Sequence, residues 1–553
     1  MECFDNSNVI NKFQDVSKLV GAAGSDNVYT IQNLQSPFDT GDVKSLTLDY
    51  VETQLSEIYI AQKNVRMGST IISFDGLNNG GTIILPQPEV SSLVTTVDGD
   101  CDTSWVLEGH SQLYVMANDI LNGCRIKHLG GLYTTSKLTV NFGDLVVEEC
   151  SGYSVLIGRE VDEGKNFTTI EINGVKNVIM VGESFETIEI LGSQCNDNIR
   201  LSASARTGSS ISINGRMGND TITIGSANNG LDSITKRVFV DGGLGVDKLI
   251  VEDSRSTLNK KNGQLYPGSV LNLMGNNVED KPSELFYSKF EEVVVNLSQG
   301  VNIFNVDSTA FESSTLIYAG PMDDKIYVHD TQGDILVDGG NGDDQFFFFG
   351  IGDKAFATIL GGAGNDVLNT DGSGDSSADT PAMNTFDTGA LFWSGQGGND
   401  TVNAVFTSSG TSSLTIFDDD DGINDLNIEC MDFYDCTLLC RENFIANIHE
   451  PSSETSGVER INIDRYDTEA PVNINRAIIR LQGGENEMFF DDTFAQVDVI
   501  GGPGDESTLS FCVFCIVILW FHGISYTKYR FVRKNFILGS FTIQKELLWI
   551  IKM

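Results

Sequence analysis

The residues here best placed to do chemistry are aspartates that close glycine-rich hexamers. The string Gly-Gly-x-Gly-x-Asp is complete at Gly242-Gly243-Leu244-Gly245-Val246-Asp247, at Gly339-Gly340-Asn341-Gly342-Asp343-Asp344 and at Gly361-Gly362-Ala363-Gly364-Asn365-Asp366. Copies lacking only the second glycine end in Asp220 and Asp400, and worn copies end in Asp197 and Asp324. More degraded copies run from Gly483 to Met488 and from Gly501 to Glu506. A carboxylate beside a turn whose carbonyls glycine can turn inward is an all-oxygen donor set. Such a set suits a hard divalent cation better than zinc or copper.

The elements that position these aspartates follow from the flanking pattern. Two and four residues after each Asp come Ile222 and Ile224, Leu249 and Val251, Ile326 and Val328, Phe346 and Phe348, often with polar residues between them. That period of two is a half-buried strand. Strands also precede the motif, at Val238-Phe239-Val240, Ile335-Leu336-Val337 and Thr358-Ile359-Leu360. Asp324 to Asp344 is 20 residues and Asp344 to Asp366 is 22. A strand, a glycine turn and a second strand in about 20 residues is one rung of a parallel β-solenoid, an all-β architecture. Stacked rungs then bring Asp324, Asp344 and Asp366 above one another along one edge. A cation between rungs would relieve the repulsion among them. The 34-residue step from Asp366 to Asp400 predicts a loop or extra rungs, and Asp220, Asp247 and Asp400 read as more isolated sites. The metal-free reading of all these turns is that each Asp bonds backbone N–H groups.

At these residues the chain resembles the RTX family, the haemolysin-type calcium-binding repeats of consensus G-G-x-G-x-D-x-apolar-x. The resemblance spans about 190 to 506 and is sharpest at 242–250, 339–347 and 361–369. It implies Ca²⁺ as the ion, with Gly339, Gly340, Gly342 and Asp344 of one rung sharing it with Gly361, Gly362, Gly364 and Asp366 of the next. Gly242, Gly243, Gly245 and Asp247, together with Asp324, Asp220 and Asp400, complete the expected metal ligands. The family runs its nonapeptides in tandem. Here one motif occurs per coil, which leaves one edge able to bind.

A larger period overlies the rungs. Phe185-Glu186-Thr187-Ile188-Glu189-Ile190 resembles Phe290-Glu291-Glu292-Val293-Val294-Val295. Turn residues then fall at Asp197, Asp220 and Asp247 after the first, and at Asn302, Asp324 and Asp344 after the second. Val458 to Ile463 opens a candidate third copy. The expected organisation is a degenerate β-repeat region over 1–170, the solenoid over 171–507 and an apolar, basic tail over 508–553.

Composition narrows the function classes. Against 35 Lys+Arg stand 77 Asp+Glu, a net charge of -42, which repels nucleic acid and anionic membrane. The 57 Gly with only 10 Pro point to tight turns rather than linkers. The acidity favours cations as partners; polysaccharide or cell-surface ligands follow from the role expected below. The ten cysteines match no tight disulfide or zinc spacing; Cys430, Cys436 and Cys440, the only local cluster, read as a disulfide or buried thiols. Sequons at Asn166, Asn219, Asn296 and Asn399 are weak signs of export. No secretory signal is visible, and the early repeat-like string from Gly21 to Val28 reads as a truncated start.

The tail breaks the pattern. After Thr508 the only acidic residue is Glu546, and residues 511–521 are wholly apolar. Residues 509–524 fall short of the roughly 20 a membrane helix needs, although the basic residues behind them fit a C-terminal anchor. A coding frame that overruns a true boundary is the other reading.

Two further features invite function. Asp418-Asp419-Asp420-Asp421-Gly422 resembles an EF-hand, but Phe417 and Ile428 would occupy ligand positions, so a solvated turn is expected. Phe346 to Phe349 should send Phe347 and Phe349 outward, either packed under a neighbouring loop, the more ordinary outcome, or forming a binding patch. No catalytic constellation stands out around the five histidines. The expectation is a calcium-binding, structural or adhesive protein, extracellular or at the cell surface. A polysaccharide-modifying enzyme on a solenoid and a metal-free spacer are the alternatives.

Overall fold

In the computed structural model the backbone is described for the strands from Asn11–Phe13 to Phe536–Thr542 and, chiefly between 152 and 404, for the segments that join them. Side chains are described chiefly for residues 152–174, 187–203, 210–274, 284–352, 355–370 and 390–404. Every regular element among the described residues is a strand. By packing, the chain divides into two units. One is Met1–Arg255 with Gly268–Val293, the other Ser256–Pro267 with Val294–Met553.

Both units are wound as parallel β-solenoids. In the first, Thr187–Leu191, Ser210–Asn214, Arg237–Asp241 and Ser283–Ser288 pair successively in parallel. The strands after the turns, Asn198–Leu201, Thr221–Ile224 and Lys248–Glu252, form a second parallel ladder. In the second unit one ladder runs through Ser314–Gly320, Asp334–Asn341, Phe356–Ala363 and Ala390–Gly397. The other runs through Asn302–Val306, Lys325–Val328, Gln345–Phe348, Val367–Asn369 and Thr401–Phe406.

Alternation along each strand builds the core. Arg237–Asp241 buries Val238 and Val240 and exposes Arg237 and Phe239. Parallel register then lines the inward residues into columns: Ile188, Ile211, Val238 and Leu285 in the first unit, and Ile326, Phe346, Leu368, Val402 and Leu426 in the second. Each of these is buried. Burying one such side chain contributes about 1.5–3 kcal/mol.

Two details decide between alternatives of the sequence reading. Ala390–Gly397 pairs directly with Phe356–Ala363, so the Asp366 to Asp400 interval holds no extra rung. Phe347 and Phe349 are buried, like Phe346 and Phe348. Phe347 stacks on Tyr327, with ring centroids 4.6 Å apart, and Phe349 on His329 at 5.1 Å. In-register aromatics on successive rungs therefore cover one another and leave no outward phenylalanine patch there.

The winding is interrupted by antiparallel insertions, Ser154–Asp162 with Lys165–Ile172 and Val175–Gly182, and Ser269–Met274 against Ser283–Ser288. Parallel pairing also occurs before residue 170, where Leu46 faces Ile72. In the tail, Val517–Phe521 is a strand paired with Gln496–Gly501, and no helix among the described residues is long and apolar enough to cross a membrane. Asp419, Asp420 and Asp421, and the side chains of Cys430, Cys436 and Cys440, lie outside the described residues.

Candidate metal centre

Each motif aspartate sits directly before the first residue of a strand. Those strands are in register, Thr221 with Lys248 and Lys325 with Gln345, Val367 and Thr401 in turn. The preceding aspartates are therefore stacked. Asp197, Asp220 and Asp247 form a column in the first unit. Asp324, Asp344, Asp366 and Asp400 form one in the second. All are 0–3% exposed. Asp220, Asp247 and Asp400 are thus column members rather than isolated sites.

Hydrogen bonds join the column from rung to rung. The backbone N–H of each Asp donates to Oδ1 of the Asp in the next rung. In the second unit these bonds run from Asp324 to Asp344 (2.7 Å), from Asp344 to Asp366 (2.8 Å) and from Asp366 to Asp400 (2.8 Å). In the first unit Asp197 donates to Asp220 (2.7 Å) and Asp220 to Asp247 (2.8 Å). That column ends on Glu291, whose Oε2 accepts the Asp247 N–H at 2.7 Å. Burial leaves an N–H no water, so the next carboxylate takes its place.

A second ladder runs beside the first in the opposite direction. The residue before each Asp is usually Asn or Asp, and its side chain accepts the N–H of its counterpart in the following rung. Asn196 accepts Asn219 (2.7 Å), Asp323 accepts Asp343 (2.9 Å), Asp343 accepts Asn365 (2.8 Å) and Asn365 accepts Asn399 (3.1 Å). The turns ending in Asp220, Asp247, Asp344 and Asp366 are thus tied forward by one residue and backward by its neighbour. The Asn-Asp and Asp-Asp pairs were visible in the sequence, but their role was not.

The motif glycines serve this stacking. A Cβ on Gly339 would overlap Asp344 Oδ2 and the Gly361 carbonyl oxygen. Gly342 has φ of 128°, a region L residues rarely adopt. The same geometry at the second position forces Arg216 (φ 76°) and Gln396 (φ 66°) into the left-handed region.

Asn302 reveals what surrounds the second carboxylate oxygen. It occupies the Asp position one rung before Asp324 and is fully buried. Its N–H donates to Asp324 Oδ1 at 2.6 Å. Its Nδ2 donates to the carbonyl oxygens of Ser298 (3.1 Å), Gly300 (2.8 Å) and Ala319 (3.1 Å), and reaches Asp324 Oδ1 at 3.2 Å. Carbonyls only accept, which assigns the nitrogen. The amide –NH₂ therefore fills a cage of oxygens. In motif terms these come from positions two and four of its own rung and from position one and the Asp of the next.

In the aspartate rungs an oxygen stands where Asn302 places a nitrogen. Oδ2 of Asp220, Asp324, Asp344 and Asp366 is buried and has no hydrogen-bond partner. Desolvation pushes each of these carboxyls up to about 7, hydrogen bonding from the preceding rung's backbone N–H opposes the rise, and neighbouring carboxylates add to it. Asp197, Asp247 and Asp400 are also raised by burial. Asp197 differs in having both oxygens occupied, by the Ser193 N–H and hydroxyl and by the Tyr153 N–H.

The donor set fits a hard cation. By the same motif positions that surround Asn302, the oxygens between Asp344 and Asp366 would be Asp344 Oδ2, the carbonyls of Gly340, Gly342 and Gly361, and Asp366 Oδ1. Of the residues expected as ligands, Gly340, Gly342, Asp344, Gly361 and Asp366 would share this interval, and Gly339, Gly362 and Gly364 would belong to the intervals on either side. No group of three His, Cys, Asp or Glu side chains that could hold a metal ion forms among the described residues, so such a cage would rest largely on backbone carbonyls. Next to Asn302, at the head of the second column, the strand residue in register with it is Lys260, 2% exposed. No family model and no curated protein matches the chain.

Proposed function

We propose that this chain is a calcium-binding repeat protein of the RTX type, with a structural or adhesive role at a cell surface or in an extracellular matrix. The observation that carries the reading is the oxygen cage that Asn302 fills with an amide and the aspartate rungs leave facing a carboxylate. A divalent ion there would bind the stacked state only and so act as a folding ligand. Ca²⁺ suits oxygen donors and irregular geometry. The disulfide at Cys195 accords with an oxidising compartment.

A metal-free spacer is the second reading. It is favoured by the Oδ1 ladder, which closes between protein groups alone. Circular dichroism and melting of the full chain in chelator and in millimolar Ca²⁺ separate the two. A calcium-dependent rise in melting temperature, reduced in Asp344→Asn plus Asp366→Asn, is expected; identical melting in both buffers would leave the spacer.

A further inference from the structure

A groove on the outer face of the first unit is independent of the turn column. Outward positions of adjacent strands align there: Ser212 with Phe239 and Phe286, and Asn214 with Asp241 and Ser288. Together they line a cavity of about 270 Å³ that opens to solvent.

The aromatic floor is incompletely covered. Phe239 and Phe286 stack with centroids 5.3 Å apart and planes within 15°, so one face of the Phe239 ring is taken. The residue in register on the other side is Ser212, too small to cover the second face. Phe239 is accordingly 40% exposed. By contrast, Phe347 in the stacked pair of the second unit is 6% exposed. Polar groups rim the Phe239 face. Asp241 accepts from Ser288 Oγ (2.9 Å) and Lys289 Nζ (3.0 Å), and Arg237 is paired with Glu284 at 2.8 Å.

Those pairings determine the charge of the partner. Asp241 and Glu284 are each paired with a cation, and Glu189, in register with Ser212, accepts from the Thr139 hydroxyl, so the groove offers hydrogen-bonding groups and no excess of positive charge for a polyanion. The chain as a whole carries -42 and repels polyanions. The complementary ligand is uncharged, has an apolar face for an aromatic ring and carries hydroxyls at its edges. We propose that this groove binds a neutral polysaccharide, one sugar ring lying on the open face of Phe239 with its hydroxyls toward Ser212, Asn214 and Asp241. This goes beyond the calcium reading and does not depend on it.

Native affinity electrophoresis of the full chain tests the site, with laminarin, hydroxyethylcellulose or galactomannan in the gel and alginate as the polyanionic comparison. Retardation by at least one neutral polymer and not by alginate is expected. Phe239→Ala should weaken it roughly tenfold, the loss typical of an aromatic anchor, and Phe239→Trp should retain it. Ser212→Trp, which fills the groove, should abolish it, and decides the matter should Phe239→Ala fail to fold by circular dichroism. Migration unaffected by every neutral polymer, retardation unchanged in the folded variants, or preference for alginate would overturn the proposal. Running the gels with calcium and with chelator keeps the two readings separate, because a failed calcium response leaves retardation intact.

Discussion

Asn302 Nδ2 lies 2.8 Å from the Gly300 carbonyl oxygen and 3.2 Å from Asp324 Oδ1, a donor among acceptors at the head of a column that otherwise presents acceptors to acceptors. The contrast between this amide and the carboxylates beyond it generates the first expectation. Asp344→Asn keeps an oxygen for the Asp324 N–H and adds an –NH₂ for the carbonyls. In chelator the variant should be at least as stable as the parent and should have lost part of the calcium response. Asp344→Ala removes the acceptor, leaves a buried N–H unpaired and should cost about 1–3 kcal/mol. Urea denaturation of the two variants in chelator measures the difference.

The titration of the column has a definite sign. Asp220, Asp324, Asp344 and Asp366 sit at about 7 in the folded chain against an ordinary value of 3.8. Between those values the folded state binds more protons than the unfolded one, so stability falls as pH rises through that window and stays low above it. In chelator the melting temperature should therefore be higher near pH 5 than near pH 8. Saturating calcium, which favours the charged form, should flatten that slope. A melting temperature that climbs toward pH 8 in chelator would contradict the buried column.

Gly361 isolates sterics from backbone conformation, since its φ is not in the left-handed region. A Cβ there would lie 2.5 Å from Asp366 Oδ2 and 2.7 Å from the Gly395 carbonyl oxygen. Gly361→Ala should destabilise by about 1–3 kcal/mol. Leu244→Ala, at a position 67% exposed in the same kind of turn, should stay within about 0.5 kcal/mol of the parent. Parallel urea titrations compare the two.

Gln396 carries the opposite prediction. It holds φ of 66° at a place where the complete motifs have glycine. Relief of the left-handed strain outweighs the extra freedom glycine gives the unfolded chain. Gln396→Gly should raise stability by up to about 1 kcal/mol, read as a shift in the urea midpoint at constant slope.

Much of this architecture was legible because it is local. The alternation in Val238-Phe239-Val240 and in Ile222-Thr223-Ile224 specifies strands, and the glycines between them specify the turn. The 20-residue step from Asp324 to Asp344 specifies a rung. Harder to read were partners distant in sequence. Glu291 completes a column from 44 residues beyond Asp247, and Asp400 does so from 34 beyond Asp366. Phe347 was expected outward on its pleat, and its burial depends on Tyr327 occupying the same register one rung earlier.

The sequence alone therefore determined the winding, since apolar period and turn chemistry are properties of a few adjacent residues. Tertiary structure decided where each carboxylate points and what it meets. Those contacts exist only once one rung lies on another, and the same aspartate that looks like a free surface ligand in a single rung is closed in by the backbone of its neighbours in the stack.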